Sequence, residues 1–319
     1  MQHLEFRAMG CRMLAALDSD DERAVEALAE VPTWFEEWED RLSRFRPESE
    51  LNQLNHATDR AVCVSDVLWQ VFQRSLDAAR ASAGLVTPAV LDALQAAGYD
   101  TSFDSLNLND ARPAEPAHIA DWRAIQFDAE TQAIRLPRGM RLDFGGVAKG
   151  WAADEAVRRL SAYAPALVDA GGDIAISGPM SDGGRWPVAV ADPMNPDRDL
   201  ALLRLSADAV ATSGRDYRHW QRNGRMQHHI IDPRTGHPAD TDVLSATVVA
   251  PSASDAEVAA KVALILGSRD GLRWIEAHSE LAGLLVLENG RIVCSRQMDD
   301  YVWSVSIALI ENQVLPAWS

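Results

Sequence analysis

Apolar residues recur with two periods along the chain. Across residues 21–44, Ala24, Leu28, Val31, Phe35, Trp38 and Leu42 fall every three or four positions. That spacing puts them on one face of a helix, and Pro32 predicts a kink or break within it. A second helix is expected from Ser65 as N-cap to Gly84, with Leu68, Val71, Phe72 and Leu76 on its apolar face. A short third helix is expected over 87–100, ending at Gly98. Elsewhere the pattern reads as strands: an opening strand over 6–18 with Met9-Gly10 inside it, two short strands in 124–136, and a strand ending at Leu142–Phe144. Further strands are expected in 166–179, 186–193, 200–214 and 244–251. A hairpin is centred on Asn289-Gly290, and a strand and tail follow in 301–319. Helices are expected over 147–160 and 252–267, the latter with Ser254 and Glu257 spaced as a capping box. Helices early and strands late give an α+β class rather than βαβ alternation. The expected organisation is one elaborated domain over 1–319, with a small helical subdomain at roughly 20–120.

Composition narrows the functional classes. A chain of 319 residues with 47% hydrophobic and 24% charged residues has the make-up of a soluble globular protein. A formal net charge of -17 argues against nucleic acid as a partner, since phosphate binding needs a basic face. Cys11, Cys63 and Cys294 lie too far apart for a metal motif or a disulfide framework, so each is expected to be a small core residue. No run of about 18 apolar residues is present, so no transmembrane segment is expected. The first residues carry no basic region followed by an apolar one, which reads as cytoplasmic.

The candidate chemistry sits in short glycine- and histidine-containing stretches. HHIIDPRTG at 228–236 places two imidazoles, a carboxylate and a hydroxyl beside a strand end. Asp232-Pro233 breaks the strand, and Asp232 and Thr235 can equally bond only to their own turn. LDFGGVAKG at 142–150 sets Gly145-Gly146 before a helix, with Lys149 one turn in. Backbone N–H groups there can hold an anion, although helix-packing glycines explain the pattern as well. VDAGGDIAISG at 168–178 repeats the theme with Gly171-Gly172 and Asp173, and Thr212-Ser213-Gly214 offers hydroxyls at another strand end. Asn55, in RFRPESELNQLN, reads as a helix cap or a ligand contact.

Taken in order, RFRPESELNQLN, LDFGGVAKGWAAD, VDAGGDIAISG, VATSG, HHIIDPRTG and AEVAAKVALILG resemble the ApbE family of flavin transferases, over roughly residues 6–267. The resemblance implies a T-fold-like α+β architecture. It implies binding of FAD and, with Mg²⁺, transfer of FMN to a threonine or serine hydroxyl of an acceptor flavoprotein subunit, with release of AMP; some members hydrolyse FAD to FMN and AMP instead. Members are often exported or membrane-associated. By match to the family's motifs, His229 is the expected general base and Asp232 its partner or a site-lining residue, while His228 is accessory or exposed. Met9, Asn55, Gly145, Gly146, Lys149, Gly171, Gly172, Asp173, Thr212, Ser213, Gly214 and Thr235 are expected around the flavin nucleotide. The family's metal-binding aspartate and threonine fall at Glu257 and Lys261. Glutamate can ligate Mg²⁺, but an ammonium has no lone pair to offer, so Lys261 is expected to sit where the metal would be. The residues are compatible with an active transferase and with an FAD-binding protein without metal chemistry.

Overall fold

The computed structural model describes residues 1–57, 59–113 and 117–305. Its centre is an eight-stranded sheet, in the order Gln2–Ala8, Cys11–Leu17, Ala166–Ala170, Asp173–Ile176, Ala209–Gly214, Val243–Ala250, Ala282–Leu287 and Ile292–Cys294. Every neighbouring pair is antiparallel. Side chains alternate between the two faces of a strand. In Ala209–Gly214, Ala209 and Ala211 pack toward helices while Val210 packs the other way. One face is covered by the helices Ala148–Leu160 and Ala253–Glu276. The other meets a small sheet of Trp186–Asp192, Asn195–Leu205 and Val302–Val305, with Trp186, Val188, Leu203 and Leu205 buried against Leu167, Ile176 and Val249. This is the α+β architecture expected, with both sheet faces covered.

The early helices share the main core. Pro32 does interrupt the long periodic stretch, giving Glu22–Ala29 and Val31–Leu42, with the proline in the first turn of the second helix, where its missing N–H is harmless. Phe35 and Trp38 are buried and meet edge to face with Phe6 and Trp151 respectively. Asp66–Ala81 is capped by Ser65 as the sequence suggests, whereas the third helix shrinks to Leu91–Ala96.

Four other expectations are corrected. The opening strand is a hairpin: Met9 (φ 49°) and Gly10 (φ 67°) form its two-residue turn rather than a bulge. Two positive φ values match the turn to the twist of the flanking strands. The segment before Gly145 is extended but unpaired in any sheet; Asn55 holds it, accepting from the Leu142 N–H (2.7 Å) and donating to its carbonyl (2.9 Å). The N-cap of Ala253–Glu276 is Ser252, which exchanges bonds with Asp255, so Glu257 is released from the capping role. None of the cysteines is buried, and Cys63 is exposed. Residues 306–319 lie outside the described residues. Among those described, no helix is long and apolar enough to cross a membrane.

The contact that seats the site is the crossing of the two sheet-covering helices. A Cβ on Gly150 would lie 2.6 Å from the Ala253 carbonyl oxygen and 2.8 Å from Ser254 Cα. Only glycine permits that approach. Gly150→Ala is therefore expected to force the helices apart and cost about 1–3 kcal/mol, the usual range for overpacking, read as a lowered Tm and denaturation midpoint.

Candidate functional site

A cleft of about 260 Å³ lies beside this crossing, lined by Met9, Phe45, Tyr99, Gly145, Gly146, Lys149, Arg218, His229 and Lys261 among others. One wall is aromatic. Phe45 and Tyr99 stand 5.6 Å apart, and the Arg44 guanidinium lies over both, 4.1 and 4.4 Å from the ring centroids. Arg44 is nearly buried, donates to the Tyr99 carbonyl (2.7 Å) and pairs through Nε with Asp143 (2.9 Å). Asp143 in turn accepts from the Gly145 N–H (2.8 Å). A chain of bonds thus runs from the aromatic wall to the glycine turn. Arg44 and Asp143 stand inside the RFRPESELNQLN and LDFGGVAKG stretches, yet no local pattern marks either as a site residue.

The far end of the cleft is charged. Glu257 is fully buried; its Oε2 accepts from the Gly150 N–H (2.9 Å) and its Oε1 from Lys261 Nζ (3.0 Å), with Lys149 Nζ 3.6 Å away. Lys149 also pairs directly with buried Asp173. Burial pushes Glu257 upward, but Lys261, Lys149 and the Gly150 N–H outweigh it and hold the carboxylate below its usual range. Burial likewise opposes the charge on Lys149, and Asp173 and Glu257 overcome it, keeping the ammonium protonated. Burial raises Asp173 against the pull of Lys149. Two ammonium groups therefore face two carboxylates, and both lysines line the cleft.

His229 borders the same space. Its Nδ1 is buried and makes no hydrogen bond of ordinary geometry. Burial, with the Arg218 and Lys261 cations nearby, holds the imidazole well below its ordinary range, hence neutral at pH 7. Arg218 bonds to Cys11 Sγ (2.9 Å) and the Gly10 carbonyl (3.1 Å), which ties the first hairpin to the cleft. His228 is buried rather than exposed. It bonds through Nε2 to the Ala239 carbonyl (3.0 Å), while Nδ1 accepts from the Ile230 N–H (3.3 Å).

The remaining sequence candidates divide. Met9, Gly145, Gly146 and Lys149 line the cleft. Gly171 and Gly172 form a two-residue hairpin turn with both φ positive; a Cβ on Gly171 would meet Cys11 Cβ at 2.6 Å, so that glycine seats the first hairpin. Asp173 pairs with Lys149 and does not itself line the cleft. Ser213 shares the helix-covered face with Ala209 and Ala211, whereas Thr212 points to the opposite face and bonds Thr247 (2.9 Å). Gly214 ends that strand, away from the cleft lining. Asn55 is a backbone clamp rather than a cap or a contact in the cleft. Asp232 is held by Arg234 (Oδ2 to Nη2 2.8 Å) and does not bond His229; Thr235 bonds back to the Asp232 carbonyl (3.3 Å). Both serve the turn, the local bonding that Asp and Thr commonly make.

Residues 9–285 match the model of the ApbE family. The chain belongs to the ApbE family. It is 32% identical to an FAD:protein FMN transferase of Treponema pallidum over 295 residues, covering 86% of this chain and 81% of that one. It is 28% identical to a Klebsiella pneumoniae protein of the same name, covering 90% and 89%. Among solved structures, an ApbE protein of Thermotoga maritima superposes with a TM-score of 0.83 at 24% identity, covering 93% of this chain and 98% of that one. The flavin transferase ApbE of Vibrio cholerae gives 0.76 at 23%, covering 94% and 98%. At those identities the two structures speak for the fold alone.

Family membership makes Mg²⁺ the implied metal, and the residues can be tested for it. Magnesium demands near-octahedral oxygen ligands at about 2.0–2.1 Å. Both Glu257 oxygens are already occupied, one by an N–H and one by an ammonium. Asp173 is taken by Lys149. Among the described residues no group of three His, Cys, Asp or Glu side chains converges on a common point. A divalent cation would have to enter beside two partly buried ammonium groups. The side chains at 257 and 261 do not fit Mg²⁺.

The neutral state of His228 has a pH consequence. Burial depresses its imidazole to about 4 from an ordinary value of 6.5. The unfolded chain takes up this proton first as pH falls, so stability drops with falling pH between those values, by about 1.4 kcal/mol per pH unit. Chemical denaturation of wild type and His228→Gln across pH 4–7 is expected to show that slope difference, with the variant less pH-sensitive.

Proposed function

We propose that the chain is an FAD:protein FMN transferase, taking FAD as substrate and passing FMN to a threonine or serine hydroxyl of an acceptor flavoprotein. The observation that carries the reading is the cleft itself in a chain of this family. An aromatic wall leads to two lysines, with a neutral imidazole at their side. A flavin ring suits the aromatic end, where stacking on Phe45 or Tyr99 buries its apolar faces. A pyrophosphate suits the end where Lys149 and Lys261 present positive charge beside the Gly145-Gly146 backbone.

The reaction these groups support is a phosphoryl displacement. The acceptor hydroxyl oxygen forms a bond to the FMN phosphorus, the bond from that phosphorus to the bridging oxygen breaks, and AMP departs with the bridging oxygen. Such chemistry is mostly positioning and neutralisation of charge on the phosphate oxygens. The hydroxyl proton goes to His229, whose neutral state leaves a nitrogen lone pair to receive it. Water entering in place of the hydroxyl would give FMN and AMP.

Magnesium was the family-level expectation for this chemistry. The occupied carboxylates favour a second reading of the same cleft, one that binds FAD and transfers slowly or not at all.

Two measurements test the proposal. Flavin fluorescence titration is expected to show saturable FAD binding at or below tens of micromolar, about -6 kcal/mol; no saturation there would sink the flavin reading. Incubation with FAD and an acceptor bearing the target threonine is expected to release AMP, and His229→Ala to slow that release by about 10²–10⁴-fold, the range for a positioned acid–base group. FAD affinity should change little in the variant; equal AMP release would move His229 to a purely structural role.

A further inference from the structure

We propose that Lys261 is the resident cation of the cleft, and that FAD binds here through Lys261 and Lys149 without any divalent metal. This rests on the reading of the cleft as an FAD site, and goes beyond it by assigning the charge that holds the pyrophosphate.

The Lys261 side chain crosses from the helix Ala253–Glu276 toward the glycine turn. Its Cδ and Cε lie 3.9 Å from where a Cβ on Gly146 would stand. The lysine chain thus runs within van der Waals reach of the turn. Nζ is held 3.0 Å from Glu257, which is itself fixed by the Gly150 N–H at the glycine crossing. Lys149 approaches the same carboxylate oxygen from the neighbouring helix, 3.6 Å away, with Asp173 as its second partner. The four side chains form a closed set of two ammonium groups and two carboxyl groups. The carboxylates are the deeper pair, and the lysines line the cleft.

That arrangement decides how the site meets a ligand. With its carboxylates already engaged, the cluster has little attraction for another cation. Its cleft-lining members are donors: an ammonium carries three N–H groups and no acceptor. Lys261 and Lys149 can therefore each keep a carboxylate contact and still donate to a phosphate oxygen. Charge-assisted donation of this kind is among the stronger hydrogen bonds proteins make. Arg218, on the same cleft, adds to the positive field. A pyrophosphate completes the cluster where a metal would crowd it.

The experiment compares FAD binding by fluorescence titration in EDTA and in excess Mg²⁺, with Mg²⁺ binding to the flavin-free protein followed by calorimetry. Wild type is expected to bind FAD with the same Kd in both conditions and to show no saturable Mg²⁺ uptake. Lys261→Thr is expected to bind FAD about 10–100-fold more weakly in EDTA, the worth of a lost charged hydrogen bond. Glu257→Asp combined with Lys261→Thr is expected to take up Mg²⁺ and to regain FAD affinity only when the metal is present. Wild-type affinity that rises by about tenfold or more with Mg²⁺, or a Lys261→Thr variant that binds FAD as well as wild type in EDTA, overturns the assignment while leaving the flavin reading intact. Failure of wild type to bind FAD in either condition instead removes the flavin reading and this assignment with it. Should the variants not fold, the wild-type comparison alone decides.

Discussion

A buried carboxylate has to be satisfied on both oxygens, and the satisfaction of Glu257 organises much of this molecule. An uncompensated charge at such depth costs several kcal/mol, so the partners of Glu257 are structural requirements. The Gly150 N–H reaches it only because glycine lets the two sheet-covering helices cross with backbone against backbone. Lys261 reaches it one turn along the same helix, and Lys149 from the helix opposite. The central sheet supplies Asp173 from a strand that begins at the Gly171-Gly172 turn. Helix crossing, sheet hairpin and cleft charge are thus one connected arrangement. A change at any member is felt at the others.

Much of the architecture was legible from periodicity, because helix and strand periods reflect which faces are buried. Phe35, Trp38 and Leu68 lie where the pattern put them, and Pro32 divides the long stretch as its missing N–H requires. The misread places are those where a backbone group is satisfied by something distant in sequence. The segment before Gly145 has the apolar pattern of a strand, yet its bonds go to Asn55, 87 residues away. Met9-Gly10 looks like a strand interior until the antiparallel register of its flanks is known. Ser254 has a capping spacing to Glu257, but Ser252 takes the cap and Asp154 accepts from Ser254 instead.

The site was legible in part and for a similar reason. Matched motifs place Met9, Lys149, His229 and Lys261 on one cleft, and the geometry brings those four together. Asp232 and Thr235 belong to equally specific motif positions but spend their polar atoms within their own turn. A motif records which residues stand near a site; it does not separate those that face the ligand from those that shape the loop. Arg44 and Asp143 illustrate the converse. Nothing local marks them, and their role appears only when a guanidinium is found over two neighbouring rings with a carboxylate at its edge. Gly150 carried a weaker signal, since a glycine in a helix interior costs about 1 kcal/mol relative to alanine and so points to a packing reason.

The charges of the cleft also bear on its imidazole. Burial disfavours a proton on His229, and the Arg218 and Lys261 cations add to it. This leaves a neutral but weak base. A pyrophosphate seated on Lys261 and Lys149 brings negative charge into the same low-dielectric space, where charges act over several ångströms with little screening. It offsets the field of the cations and raises the affinity of His229 for a proton. On the proposed reading, Lys261 both holds the pyrophosphate and disfavours a proton on His229, and the bound pyrophosphate would make the imidazole a better proton acceptor. Binding and proton acceptance would then be coupled through the Lys261 ammonium. This coupling needs charge at Lys261 that remains fixed in place, which the Glu257 contact supplies.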